Sequence, residues 1–329
     1  MIVAVDAAGG DFYPKNPVEG ALSAIAEDES LSVILVGPED SINSELSNHE
    51  YDSSRLFVQH APEVIGMEES PAHAVKNKRH SSIVIGLGLH KAGKCDAFVS
   101  AGNTGALLAA STFILGKLKG VSRPTIASYY PTIKGFRLLV DAGANLEIKP
   151  EMAFQFAKMA QVFCREIMKL EEPKVGLLNV GEEDEKGTET LKDTHKYLKE
   201  KSLDGFLGNV EGRDVLSGEA DVYLCDGLVG NILLKFGESI PETIMKMVQG
   251  AVAKLDMKPE DIQNTKKVLM TALSPFNYEQ VGGIPFLGVN GVSIVGHGGS
   301  SPLAIKNMIK AAVSCVSNDV NGKIVASLT

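Results

Sequence analysis

Short apolar runs that end in a polar residue and then glycine recur along this chain. Residues 2–5 run into Asp6 before Gly9-Gly10. Residues 97–99 run into Ser100 before Gly102-Asn103-Thr104-Gly105, and 138–140 into Asp141 before Gly143. The motif returns at 175–179 before Gly181, at 222–226 before Gly227, and at 292–295 before Gly296-His297-Gly298. Apolar runs this short, separated by helical periodicity, predict buried strands of a largely parallel sheet. Ligands of such sheets collect at the carboxyl ends of the strands. The glycine turns therefore predict one active site assembled from many loops on one sheet edge.

The spacing predicts strands over 2–6, 32–36, 56–59, 96–100, near 125–130, 137–141, 174–180, 205–210, 221–225 and 292–296. Helices are expected between them: about 16–27, 40–48, one from 71 to 91, one ending near Gly116, one from Pro150 to about Leu170, 188–200, and a last one from Pro302 to about Cys315. Proline suits a first helical turn. After Asn231 the alternation stops. Ile240, Ile244, Met247, Val248, Ala251 and Leu255 share one face of a helix expected to start near Pro241, and a second helical stretch follows Pro259. Two helices in succession predict a pair, within 236–280, that projects from the sheet. A glycine-rich segment, 282–291, leads back to it.

Composition narrows the picture. A chain of 329 residues with 44% hydrophobic residues fits one α/β domain over 1–329 or two closely joined ones. There is no run of 18 uncharged apolar residues, so no membrane-spanning helix is expected. The first residues read as strand, with no basic leader or cleavage site, which predicts a cytoplasmic protein. Cys95, Cys164, Cys225 and Cys315 lie far apart and read as free thiols; Cys225, ending an apolar run, reads as inert. The scattered histidines give no structural zinc site. A net charge of -9 argues against nucleic-acid binding. Yet residues 70–95 carry Lys76, Lys78, Arg79, Lys91 and Lys94 and no acidic residue. That stretch reads either as a solvated helix face or as a landing surface for an acidic partner.

Gly88 to Lys94 imitates a phosphate-binding P-loop, but Cys95 replaces the Ser or Thr that would hold Mg²⁺, and the segment precedes a strand instead of following one. No strict G-x-G-x-x-G occurs, which weakens a nicotinamide-dehydrogenase reading. The Ser100–Ala106 turn joins a strand to a helix, so its backbone N–H groups and the helix dipole suit an anion, while Asn103 and Thr104 either bind it or cap the helix. Asp6, Asp141 and Asp226 each end a strand, where a carboxylate orients a cation, binds a metal or fixes loop backbone. Asn145 and Asn231 follow two of them and can donate to an oxyanion. Lys186, in the acidic 181–187 loop, offers a point charge to phosphate. Arg213 offers a guanidinium fork, or a structural pair with a nearby acid. His297 suits acid–base work or a structural hydrogen bond.

Taken in order, Asp6-Ala-Ala-Gly9-Gly10-Asp11, Ser100-Ala-Gly102-Asn103-Thr104-Gly-Ala106, Asp141-Ala-Gly-Ala-Asn145 and Asn179-Val-Gly-Glu-Glu183 with Lys186-Gly187 resemble the PlsX-type phosphate acyltransferase family. So do Gly208-Asn209-Val-Glu-Gly-Arg213-Asp214, Cys225-Asp226-Gly-Leu-Val-Gly-Asn231, Gly282 to Gly288, and His297-Gly-Gly-Ser. The resemblance runs nearly end to end. Ala8, Ala142 and Gly299 depart from the usual Met, Val and Ser, and none removes an ionisable group.

The resemblance implies a three-layer α/β/α fold like isocitrate dehydrogenase and phosphotransacetylase, a homodimer, and a projecting helix pair. It implies phosphorolysis of acyl-[acyl carrier protein] by inorganic phosphate for phospholipid synthesis, with peripheral membrane contact and neither cofactor nor metal. Phosphotransacylation of acyl-CoA and a non-catalytic carrier-binding scaffold are the rivals. Lys186, Asn231, His297 and Asp226 are the expected catalytic residues. Asp6, Gly9, Gly10, Gly102, Asn103, Thr104, Asp141, Asn145, Glu183, Asn209 and Arg213 are the expected substrate and phosphate contacts. Lys76, Lys78 and Arg79 are the expected carrier-docking cations. Met245, Met247, Met257 and Met270 in the helix pair would adapt to an acyl chain, a membrane or a second subunit.

Overall fold

The computed structural model describes residues 1–255, 257–276 and 281–329. Residues 256 and 277–280, inside the segment expected to project, lie outside the described residues. In chain order the strands are β1 (Ile2–Asp6), β2 (Ser32–Gly37), β3 (Leu56–His60), β4 (Ala97–Ser100), β5 (Thr125–Thr132) and β6 (Gly135–Val140). They continue as β7 (Val175–Asn179), β8 (Phe206–Glu211), β9 (Val222–Leu224), β10 (Ile284–Leu287) and β11 (Val292–Val295). They form one sheet, ordered β3-β2-β1-β4-β11-β10-β5-β6-β9-β7-β8. The apolar runs are strands because both their faces are covered: residues 3–6 and 97–100 are buried throughout.

Two parallel blocks, β3-β2-β1-β4-β11 and β6-β9-β7-β8, are joined through β10 and β5. β10 is antiparallel to both β11 and β5, and β5 is antiparallel to β6. Three successive reversals leave the blocks running in opposite directions. The expectation of one loop-bearing edge is therefore corrected. Asp6 and Ser100 end strands at one edge of the sheet, whereas Asp141 and Asp226 follow strands that end at the other.

The helices are α1 (Lys15–Glu27), α2 (Glu39–Leu46), α3 (Pro71–Asn77), α4 (Ser82–Lys91), α5 (Thr104–Ile114), α6 (Pro150–Glu166), α7 (Glu189–Glu200), α8 (Gly227–Val252), α9 (Pro259–Leu273), α10 (Pro302–Ser317) and α11 (Val320–Leu328). One face of the sheet is sealed by α1, α2, α6, α7, α10 and α11 around a single apolar core. Phe156 and Phe163 of α6 are buried there, each stabilising by roughly 1.5–3 kcal/mol. The other face is sealed by two separate clusters. One lies under α3, α4 and α5, and the other around Tyr130, Leu139 and Tyr223. Leu234 of α8 packs against both. Between these clusters the middle of the sheet is left open.

Two helix expectations change. The helix expected over 71–91 is two, because the chain breaks at Lys78–Ser81 and the Ser81 hydroxyl caps α4 by accepting from the Val84 N–H. The helix expected to start near Pro241 begins at Gly227, and Pro241 lies inside it. Glycine lowers helix propensity, so residues 227–237 read as loop. The glycines are there because α8 lies directly on the sheet. A Cβ on Gly227 would sit 2.7 Å from the Asn145 carbonyl oxygen, one on Gly237 2.7 Å from the Tyr130 hydroxyl, and one on Gly230 would collide with the Asp141 carbonyl. Beyond Gly237 no residue of α8 is buried, and α9 buries none.

Candidate active site

The open middle of the sheet is a cleft of about 900 Å³, near the upper end of the roughly 300–1,000 Å³ common for ligand sites. Its floor is Ile126, Ser128 and Tyr130 of β5 with Ile284 of β10 and Val295 of β11. Thr104, Gly105 and Leu108 of α5 form one wall, and Asn231, Leu234, Lys235, Glu238 and Pro241 of α8 the other. Phe136, Pro275 and Phe276 extend the apolar lining where α8 leaves the sheet.

Each end of the cleft is polar. At one, Gly143 faces Asn231. The backbone of Gly143 is left-handed, at φ +123°, which glycine alone adopts without strain, and a Cβ there would meet Asn231 at 3.6 Å. Asn231 is exposed in the second turn of α8. That helix is capped by Asp226, whose carboxylate accepts from the Val229 N–H at 2.8 Å. At the other end, Asp11 and His297 line the cleft beside Thr104. The Asp11 N–H donates to the Gly298 carbonyl at 2.8 Å, which docks the first glycine loop onto the last. The Gly299 N–H donates to Nδ1 of His297 at 3.1 Å. In the neutral ring this leaves the proton on Nε2.

Of the expected site residues, Asn231, His297 and Thr104 line the cleft. Several others are knots that hold the loops around it. Asp141 is fully buried. Its carboxylate accepts from the Ile126 and Ala144 N–H groups and from both the backbone and side-chain nitrogens of Asn145. Asn145 donates its remaining amide hydrogen to the Pro124 carbonyl at 2.9 Å. Asp6 is buried, accepting from the Ser100 hydroxyl at 2.6 Å and the Ala8 N–H. Burial pushes both carboxyls up, against the pull of these donors. Gly9 is a glycine because a Cβ would strike the Asp6 carboxylate and come within 2.9 Å of the Gly102 nitrogen; Gly10, at φ +91°, would meet the Gly298 carbonyl at 2.9 Å. The Gly102 N–H donates to the Ser100 hydroxyl at 3.0 Å.

Asn103 is likewise occupied. Its Oδ1 accepts from the Ala106 N–H and caps α5, while its amide donates to the carbonyls of Gly66, Met67 and Glu69. This clamp holds Met67 at the rim of the cleft. Lys78 reinforces the same segment, donating to Glu69 at 2.6 Å and to the Val64 carbonyl at 2.7 Å. The Lys78 ammonium beside Glu69 holds that carboxyl below its usual range. Lys76 and Arg79 are exposed next to it.

Lys186, Glu183 and Asn209 come together away from the cleft lining, where the loop after β7 meets β8, and Arg213 follows β8. Asn179 donates to the Lys186 carbonyl at 3.1 Å, and Asn209 donates to the Glu183 carbonyl at 2.8 Å. Arg213 pairs with Glu211 at 2.8 Å, the structural alternative left open by the sequence. Asp184, one residue after Glu183, pairs with Lys199 at 2.7 Å. All four cysteines are buried. Burial pushes the thiols up, to about 11 for Cys95, about 12 for Cys164 and Cys315, and well above the ordinary range for Cys225. Among the described residues one set with metal-ligand spacing, Glu19, Glu45 and His49, lies outside the cleft lining.

Sequence reasoning missed Lys235, Gly143 and Asp11 as cleft residues, and the apolar floor. Asp11 stood in the first glycine motif. Lys235 follows Asn231 by four residues, which one helical face would have revealed had α8 been recognised there.

Solved phosphotransacetylases share this fold. The phosphotransacetylase of Streptococcus pyogenes superposes with a TM-score of 0.62 over 97% of this chain and 94% of that one, at 14% identity. A branched-chain phosphotransacylase from Enterococcus faecalis V583 gives 0.54 over 95% and 99%, at 15% identity. The family model described as "Fatty acid synthesis protein" matches residues 1–323, and the chain belongs to that family. Its relatives include the phosphate acyltransferase of Chlorobaculum parvum, 47% identical across 100% of this chain and 99% of the relative. That of Clostridium perfringens strain SM101 is 42% identical across 100% and 97%. The protein is an acyltransferase of the phosphate acyltransferase type.

Proposed function

We propose that this enzyme moves the acyl group of an acyl-[acyl carrier protein] thioester onto inorganic phosphate, yielding acyl phosphate and free carrier for phospholipid synthesis. The observation that carries this reading is a single cleft whose apolar floor joins Asn231 at one end to His297 at the other. A phosphate oxygen attacks the thioester carbon, a tetrahedral oxyanion forms, and the C–S bond breaks. The proton of hydrogen phosphate ends on the carrier thiol, so atoms and charge balance. Asn231 supplies the amide donor for the oxyanion. The proton passes from hydrogen phosphate to the departing thiolate within the adduct, and His297 lines the far end of the cleft. Phosphate is already anionic, so no activated cysteine is required.

The exposed Lys76 and Arg79 adjoin the segment that carries Met67 to the rim. A chain of net charge -9 repels an acidic carrier overall, so a local basic surface beside the cleft supports docking there. Past the sheet, α8 and α9 expose Met247 (70%) and Val268 (68%), and Phe236 is open where α8 leaves the sheet. Apolar side chains this open favour contact with a second subunit and with the membrane surface. Among the described residues no helix is long and apolar enough to cross a membrane.

Incubation of the purified protein with acyl carrier thioester tests the reading. Free carrier thiol should appear only when phosphate is present, and the CoA thioester should react more slowly. Phosphate-independent thiol release, or preference for CoA, would overturn it.

A further inference from the structure

We infer that Lys235 is the cation that holds the attacking phosphate, a role that rests on the proposed reaction and adds a residue to it. Lys235 and Asn231 stand one helical turn apart on α8, and both line the cleft. Residues so spaced lie on one helix face, with Cβ atoms about 5–6 Å apart. An amide and an ammonium at that separation reach neighbouring oxygens of one tetrahedral adduct: the carbonyl-derived oxyanion and the phosphate attached to the same carbon.

The charges of the cleft point the same way. Its described ionisable lining residues are Asp11, Tyr129, Tyr130, Lys235, Glu238, Glu242 and His297, so Lys235 is its one lysine or arginine. Glu242 is paired with Lys246 at 2.5 Å. An acyl thioester is neutral and its chain apolar. Neither calls for an ammonium in this lining, whereas a phosphate dianion does. Across from Asn231 the Cβ-less Gly143 leaves room for its oxygens. The cations favoured by sequence spacing lie outside the cleft lining: Arg213 pairs with Glu211, and Lys186 is exposed on a loop whose backbone Asn179 and Asn209 tie down.

Steady-state kinetics of Lys235→Ala, at saturating thioester with phosphate varied and then the reverse, tests this. The phosphate KM should rise roughly 10- to 100-fold, the loss expected when a charge-assisted hydrogen bond is removed. The thioester KM should move less than about twofold. Lys235→Arg, which keeps the charge, should recover most of the loss, and Lys186→Ala should leave the phosphate KM near wild type. An unchanged phosphate KM in Lys235→Ala, a parallel rise in both KM values, or a large phosphate effect from Lys186→Ala instead would overturn the assignment. Calorimetric titration of inorganic phosphate into thioester-free protein separates the site from the reaction. Binding by wild type and its loss in Lys235→Ala uphold the site even if the carrier thioester proves not to be the substrate. Equal binding by both proteins removes it.

Discussion

Asn103 separates two readings of an asparagine in a glycine turn. As a phosphate contact it would be dispensable for folding. In the structure its Oδ1 caps α5, and its two amide hydrogens are shared among the carbonyls of Gly66, Met67 and Glu69 at 3.0–3.1 Å. Loss of such a cap costs about 1 kcal/mol. The loss of the bonds made by its two amide hydrogens costs about 1 kcal/mol more for each hydrogen. Asn103→Ala should therefore lose about 3 kcal/mol in urea unfolding followed by far-ultraviolet circular dichroism. Asn103→Asp keeps the cap but sets a carboxylate against three carbonyl oxygens, so it should lose at least as much. Because the clamp positions Met67 at the rim, limited proteolysis near residues 64–69 should accelerate, and the thioester KM should rise more than the phosphate KM. A loss below about 1 kcal/mol together with a selective rise in phosphate KM would refute this reasoning and return Asn103 to the role expected from sequence.

Glu27 bridges α1 to Lys306 and Lys310 of α10, and these ammonium groups hold its carboxyl at about 2, below the ordinary 4.5. A depressed carboxyl stabilises above its unfolded value, and the effect is lost as pH falls from about 4.5 towards 2. Glu27→Gln should thus melt below wild type near neutral pH, with the gap closing under about pH 4.5; a pH-independent gap would contradict the pairing. The double change Lys76→Glu with Arg79→Glu should raise the carrier KM and weaken its salt dependence while sparing the phosphate KM. Unchanged carrier kinetics in the folded variant would sink the docking surface.

The strands that build the frame were legible because they are buried on both faces, so β1, β4 and β7 are continuous apolar runs. Their relative direction was not. It turns on the β5–β6 hairpin: β10 pairs antiparallel on both sides, so its two reversals cancel, and the antiparallel step from β5 to β6 sets the second block against the first. That reversal moves Asp141 and Asp226 to the edge opposite Asp6. The start of α8 was hidden for a related reason: Gly227, Gly230 and Gly237 break helical propensity yet are what let the helix lie on Asn145, Asp141 and Tyr130.

Of the residues that sequence spacing selected, Asn231, His297 and Thr104 line the cleft. The same spacing also selected Asp6, Asn103, Asp141 and Asn145, since Asp or Asn beside glycine marks an anion loop and a loop knot alike. Burial and the full set of hydrogen-bond partners distinguish the two, and both depend on chain segments remote in sequence. Lys235 carried no local motif at all.

The central claim is that acyl transfer to phosphate takes place in the cleft beside Asn231. Its most direct test is the turnover of Asn231→Ala with acyl carrier thioester and phosphate, measured as acyl phosphate formed. Removal of one oxyanion donor typically costs roughly 10²–10³ in turnover. The account predicts a fall of that order in kcat with a smaller change in either KM, in a protein whose circular dichroism and melting match wild type. Full turnover by the folded Asn231→Ala variant would contradict it and place the chemistry outside this cleft.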